Sequence, residues 1–211
     1  MARSDTTKKV TRIQKEKINI ILDAALDVFS NHGFKGATID MIAKEANLSK
    51  PNILYYFDSK DDIHSALLSK LLDKWLEPLE VISSNGDPVQ EICSYVENKL
   101  EMARIFPRES RLFANEILQG APRMLEVLSG PLKELADQKA DIINSWINAG
   151  KIEPINPYHL IFSIWATTQH YADFDVQIQA VVGNKDSNAH FNDAKIYLRQ
   201  LFTRLLEPKA K

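Results

Sequence analysis

The chain has 211 residues, of which 45% are hydrophobic and only seven are glycine. That is enough apolar material for a packed core, in one large domain or two small ones, and too little glycine for a loop-rich or β-rich fold. A single cysteine, Cys93, excludes an internal disulfide, and the net charge of −2 conceals a basic N-terminus: Arg3, Lys8, Lys9, Arg12, Lys15 and Lys17 stand against Asp5 and Glu16. Such an arm suits attraction to phosphates, which releases condensed counterions; ahead of about residue 9 it also has the composition of a solvated, disordered terminus.

A first helix is predicted from Thr11 to His32, with Ile18, Ile21, Leu22, Ala25, Leu26 and Phe29 as its apolar stripe and Gly33 as its stop. It serves as a buttress. Next comes the informative run Thr38 to Phe57, TIDMIAKEANLSKPNILYYF. Ile39, Ile42, Ala43 and Ala46 give one apolar face, and Thr38 precedes it as a cap. Asn47 falls where the turn needs a positive φ, a conformation that asparagine tolerates well among non-glycine residues. Ser49 caps the following helix, and Pro51 sits in its first turn, where proline does little harm. Ile53, Leu54 and Phe57 are expected to pack inward, which leaves Lys50, Asn52, Tyr55 and Tyr56 outward. This is a helix-turn-helix pattern whose second helix is built to enter a DNA groove.

A fourth helix is predicted after Ser59. Asp61 and Asp62 lie in its first turn, and Leu67, Leu68, Leu71, Leu72 and Trp75 lie along it to about Glu77, before Pro78. The boundary between reading head and remainder therefore lies in a continuous helical connection, which gives residues 1–59 as one domain and 60–211 as the other. A stiff connection of this kind can carry a shift from the second domain to the head. SSNGDP (Ser83 to Pro88) marks a loop. Helical patterns follow at about Val89 to Phe106, Arg108 to Gln119, Pro122 to Ala149, Pro157 to Ile178 and Asn188 to Leu206. No strand-like alternation interrupts them, so the fold class is all-α: a three-helix helix-turn-helix domain and a larger helical domain.

The run from Thr38 resembles the DNA-binding domain of TetR-type bacterial transcription regulators. The matches are Thr38, Ile42, Ala43, Ala46, Ser49, Leu54, Tyr55, Tyr56, Phe57, Ser59 and Lys60, with Asn47 and Leu48 where glycine and valine are usual. Double-stranded operator DNA is the partner that this resemblance implies. Lys50, Asn52 and Tyr55 are the expected base or groove contacts, with Pro51 in the same turn. Thr38, Ser49, Tyr56 and Lys60 are expected to position phosphates.

In the second domain, Trp165, Gln169 and Asp173 fall at i, i+4 and i+8 of one helix, and so share a face. An indole beside a primary amide suits a planar ligand with alternating carbonyl and N–H groups, such as a pyrimidine. The same spacing equally describes a core tryptophan and a glutamine bonded to neighbouring backbone, and the residues alone leave both open. The runs LDKWLEPL, SRLFANEILQGAP, PLKELADQKADII and HLIFSIWATTQHYADF are similar to those of the pyrimidine-utilisation branch of the TetR family. That likeness implies a small-molecule effector, uracil or thymine, with Trp75, Trp165 and Gln169 lining its pocket and Phe113, Tyr171 and Asp173 as further candidates. Asn115 and Gln119 make this stretch more polar than that branch, and Asn115 joins the candidates.

The expected molecule is a cytoplasmic homodimeric repressor, not an enzyme, with no cofactor and no membrane segment. The alternative is a TetR-type regulator answering to a different lipophilic or cationic compound. The five histidines show no zinc spacing, and no catalytic motif appears. Glu97, Glu101, Arg104, Arg108, Arg111 and Glu116 read as a solvated helix face or, less commonly, a buried polar network. The interface is expected on the helices at 156–178 and 188–206, as a four-helix bundle.

Overall fold

A computed structural model describes residues 11–183 and 187–208; the basic residues Arg3, Lys8 and Lys9 lie outside them. Every regular element among the described residues is helical, and none of these helices is long and apolar enough to cross a membrane. The chain packs as two units, one ending at Leu68 and the other beginning at Ser69. The division falls inside α4 (Lys60–Glu80), rather than at its start. Ile63, Leu67 and Leu68 are buried, and the His64 ring lies edge-on to Phe29 at 4.7 Å, so the opening turns of α4 complete the first core.

In the first unit α1 (Arg12–Gly36) opens with a full capping box between Thr11 and Gln14. Its helical geometry breaks at Gly33 (φ 64°, ψ 171°), a conformation that a Cβ would strain. After α2 (Ile39–Glu45), Asn47 takes φ 51° to make the tight turn into α3 (Lys50–Tyr56). Thr38 Oγ1 accepts the Met41 amide and Ser49 Oγ the Asn52 amide, so both hydroxyls cap their helices. Ile42, Ala43 and Ile53 are buried, as is α1's stripe of Ile21, Leu22, Ala25 and Phe29, and α2 packs on both α1 and α3.

The second unit is built around α5 (Pro88–Ile105), which packs on α9 (Pro157–Asp173) and α11 (Ser187–Leu206). Ala194, Leu198, Phe202 and Leu206 recur every fourth residue and bury one stripe of α11 in the same core as Ile92, Val96 and Leu100. The loop after α4 is held by α8 (Lys133–Asn148): Lys139 Nζ donates to the carbonyls of Glu80 and Ile82 at 2.6 and 3.0 Å, and Trp146 Nε1 to that of Ser84. Pro78 does not end α4 as expected, since one missing amide near a helix end costs little and the loop beyond is secured.

Two predicted helices are interrupted. Residues 122–149 divide into a short turn, α7 (Leu125–Val127), a π-helical segment (Leu128–Leu132) and α8. Ala121 at φ 52° begins the irregular stretch. It is anchored by the buried Glu116 of α6 (Pro107–Leu118), whose carboxylate accepts the Arg123 amide at 2.9 Å and pairs with its guanidinium at 3.2 Å. Pro131 has no amide to continue an ordinary ladder, and a wider turn accommodates it. The other interruption is at Phe174, between α9 and α10 (Asp175–Val182). There Ser110 Oγ donates to Asp173 Oδ1 at 2.6 Å, while Arg111 donates to the Ala172 carbonyl and pairs with Asp175.

Of the charged run, Glu101 and Arg104 form an exposed pair and Glu97 reaches Lys195 and Arg199. Glu116 alone of the run is fully buried. Cys93 is buried, with its sulfur 3.4 Å from Thr203 Oγ1.

Candidate functional sites

The exposed surface of α3 carries Lys50, Pro51, Asn52, Leu54 and Tyr55. Tyr55 is 72% exposed, and its ring meets that of Tyr56 edge-on at 4.9 Å. Leu54 departs from expectation: it is exposed, because in so short a helix the buried face needs little beyond Ile53 and the partly buried Phe57. The Lys50 ammonium lies 2.8 Å from Asp40 Oδ2 on α2, an exposed pair that competes weakly with a polyanion. Thr38 and Ser49 spend only their acceptor function on the caps, so each hydroxyl proton remains available to an incoming oxygen.

Lys60 is placed differently from its expected role. Its ammonium donates to the Phe34 and Ala37 carbonyls at 2.7 and 2.8 Å and sits 4.4 Å from the centre of the Phe34 ring. Two of its three donors are therefore spent closing the link between α1 and α2, which makes Lys60 a strut of the head. Lys60→Met should destabilise the first unit by about 1–3 kcal/mol, the usual cost of leaving buried carbonyls unpaired. Hydrogen exchange should then accelerate in α1 and α2 and stay unchanged in α5; equal protection in both would remove the strut.

The second unit encloses a cavity of about 330 Å³ between α4, α5, α6, the π-helical segment and α9. Four predicted residues converge on it: Trp75, Phe113, Trp165 and Gln169. The Trp165 indole N–H donates to the buried Tyr95 hydroxyl at 2.6 Å, which fixes the ring as a wall and uses up its polar edge. Gln169 lines the site, and among the described residues its amide has no protein hydrogen-bond partner, so both its donor and its acceptor are uncommitted. Leu72, Leu76, Ile117, Leu128 and Leu132 supply the apolar remainder.

Asn115 and Asp173 line a second hollow of about 450 Å³, which shares Phe113, Ile117 and Gln169 with the first. The Asp173 carboxyl is pushed above its ordinary range by burial, against the bond from Ser110. Tyr171 is not part of either. Two residues past Gln169 it points about 200° around the helix, into a small cavity with His190 and Phe191.

Beside the apolar lining, one polar lining residue has no counterpart in the sequence expectations. Lys99 of α5 is 3% exposed, and its ammonium sits over the Trp75 ring at 4.2 Å from the centroid. Its signal was legible: Tyr95, Lys99 and Ala103 recur every fourth residue along a stripe that is otherwise apolar. The Trp75 indole nitrogen is also buried without a protein acceptor.

The chain as a whole is similar to known regulators. The profile of bacterial regulatory proteins, tetR family, matches residues 21–67, and that of the YcdC-like protein, C-terminal region, matches residues 68–209. The HTH-type transcriptional regulator RutR of Escherichia coli strain K12 is 48% identical over 178 residues, 84% of either chain. Among solved structures, a transcriptional regulator of Streptomyces coelicolor superposes with a TM-score of 0.71 at 20% identity, over 90% of this chain and 98% of its own. A tetR-family regulatory protein of Rhodococcus RHA1 gives 0.75 at 13%, over 92% and 99%. At those identities the superpositions speak for the fold, and the sequence matches for the descent: the chain belongs to the TetR family of helix-turn-helix transcriptional regulators.

Proposed function

We propose that this regulator is a homodimeric repressor that reads operator DNA with α3 and is released by a small planar effector, a pyrimidine such as uracil or thymine. The observation that carries the effector reading is the cavity itself. Two indole rings and Phe113 line it, and Gln169 lines it with an uncommitted amide that has a donor and an acceptor on one edge. A pyrimidine presents the complementary alternation of carbonyl and N–H, and its flat faces suit aromatic walls. Its resemblance to the pyrimidine-utilisation branch supports the same choice.

Dimerisation is supported by α9 and α11, which carry more apolar surface than one core uses. Beside the buried stripe of α11, Tyr197, Leu201 and Leu205 form a second one that is exposed, and Tyr158 and Phe162 are exposed on α9. A dimer also supplies the two heads needed for half-sites about 34–36 Å or a multiple apart. Effector binding then favours a dimer with a spacing that no longer fits the operator, and operator DNA weakens effector binding by the same factor.

The test is a calorimetric titration with uracil and thymine on the wild-type chain and on Gln169→Ala. Saturation is expected in the wild type. In the variant, which loses two hydrogen bonds worth about 1 kcal/mol each, affinity should fall roughly 10- to 100-fold. No binding to a folded, DNA-competent protein would reject the pyrimidine and keep the regulator.

A further inference from the structure

Three lysines lose most or part of their water in this fold, and two of them gain carbonyls in return. Lys60 has those of Phe34 and Ala37, and Lys139 those of Glu80 and Ile82. Lys99 is the most buried of the three, and among the described residues its ammonium meets the Trp75 ring and no hydrogen-bond acceptor. A buried charge left in that state is costly unless something else supplies the partner. Since Lys99 lines the cavity, a ligand can be that partner.

We propose that Lys99 sets which ligand edge the cavity accepts: its ammonium donates only, so it requires a carbonyl or anionic acceptor and rejects an amino group at the same place. As applied to a pyrimidine ring, this rests on the effector reading above. Gln169 cannot make that choice, because its amide can flip to present either a donor or an acceptor. The Trp165 N–H is already committed to Tyr95. The Trp75 indole nitrogen is buried away from the cavity, so Lys99 is the remaining polar group, and it only donates. Uracil presents a carbonyl at its 4-position, where cytosine carries an exocyclic amine, so an ammonium at that edge tells them apart. A cationic ligand would meet a like charge, which places the cationic-effector alternative at a disadvantage.

Burial pushes the Lys99 amine down to about 7, against the opposing influence of Asp173 from α9. The other lining side chains, from α4, α6, the π-helical segment and α9, carry no charge. On α5 itself, Tyr95 is held in its neutral form by burial. Below pH 7 Lys99 is therefore donor-only. Above it the neutral amine gains a lone pair and can also accept, so the preference should narrow as pH rises.

The experiment compares uracil with cytosine, and benzoate with benzamidine, on the wild-type chain and on Lys99→Gln, by calorimetry at pH 6 and 8.5 with melting curves as the control for folding. The expected result is that wild type prefers uracil by ~100-fold or more at pH 6, as a site built to hydrogen-bond one edge does. The ratio should shrink at pH 8.5 and fall within ~3-fold in Lys99→Gln, whose amide serves either edge. Benzoate should likewise be favoured over benzamidine in a Lys99-dependent way. If uracil binds and the preference persists unchanged in folded Lys99→Gln, the role of Lys99 is overturned and the pyrimidine reading stands. If neither pyrimidine binds but the benzoate preference holds and depends on Lys99, the pyrimidine reading fails and the Lys99 rule stands. Binding of none of the four probes would overturn both.

Discussion

Tyr55→Ala is expected to remove specific operator binding, weakening it roughly 30- to 20,000-fold, while the protein remains folded. The ring is 72% exposed and lies edge-on to Tyr56, whereas α3 is anchored from its other side by Ile53, which is fully buried. Truncating an exposed side chain that anchors nothing changes stability by about 0.5 kcal/mol or less. On DNA the balance reverses. A groove contact is worth about 1–3 kcal/mol per head, and a two-headed reader loses it twice, about 2–6 kcal/mol in all. Fluorescence anisotropy on the operator, repeated on Tyr55→Phe, separates the hydroxyl from the ring. Unchanged affinity in folded Tyr55→Ala would take α3's outer face out of the interface.

The legible parts of this molecule are those that neighbouring residues decide. The turn between α2 and α3 was readable because few residue types accept the φ of 51° that Asn47 adopts, and because Thr38 and Ser49 are hydroxyls placed one residue before an apolar period. The aromatic walls of the cavity were readable in part: Trp165 and Gln169 share a helical face by spacing, while Trp75 and Phe113 came from resemblance alone. What was not legible depends on partners far along the chain. The irregular run within residues 122–132 and the break at Phe174 are stabilised by Glu116 with Arg123 and by Ser110 and Arg111 with the end of α9, partners that local spacing does not reveal. Lys60 stands in the family pattern like a phosphate contact, yet its donors go to carbonyls more than twenty residues earlier. Tyr171 belongs to an aromatic-rich run, and only the helical phase sends it away from Gln169.

Lys99 supplies the second large effect, because its burial is a stability cost with a definite pH signature. Its folded-state value of about 7 lies well below the ordinary 10.5. Below pH 7 the lysine is charged in both folded and unfolded chains, and the whole cost of burying that charge is present. Between pH 7 and 10.5 the unfolded chain holds a proton that the folded chain lacks, so stability rises with pH through this window and is flat beyond it. The gap corresponds to about 5 kcal/mol, from which the lost contact with the Trp75 ring subtracts about 1–2 kcal/mol. Lys99→Met keeps the packing of the aliphatic stem and removes the charge. At pH 6 it should therefore be more stable than wild type by about 3 kcal/mol, or roughly 6–12 °C in melting temperature. The advantage should shrink to near zero by about pH 10. Trp75, Trp146 and Trp165, the three tryptophans of the chain, all lie beyond Ser69, so urea unfolding followed by indole fluorescence reports the second unit alone. A variant less stable than wild type at pH 6 would mean that the ammonium is a structural partner; a gain confined to acid pH marks it as a charge stored for a ligand.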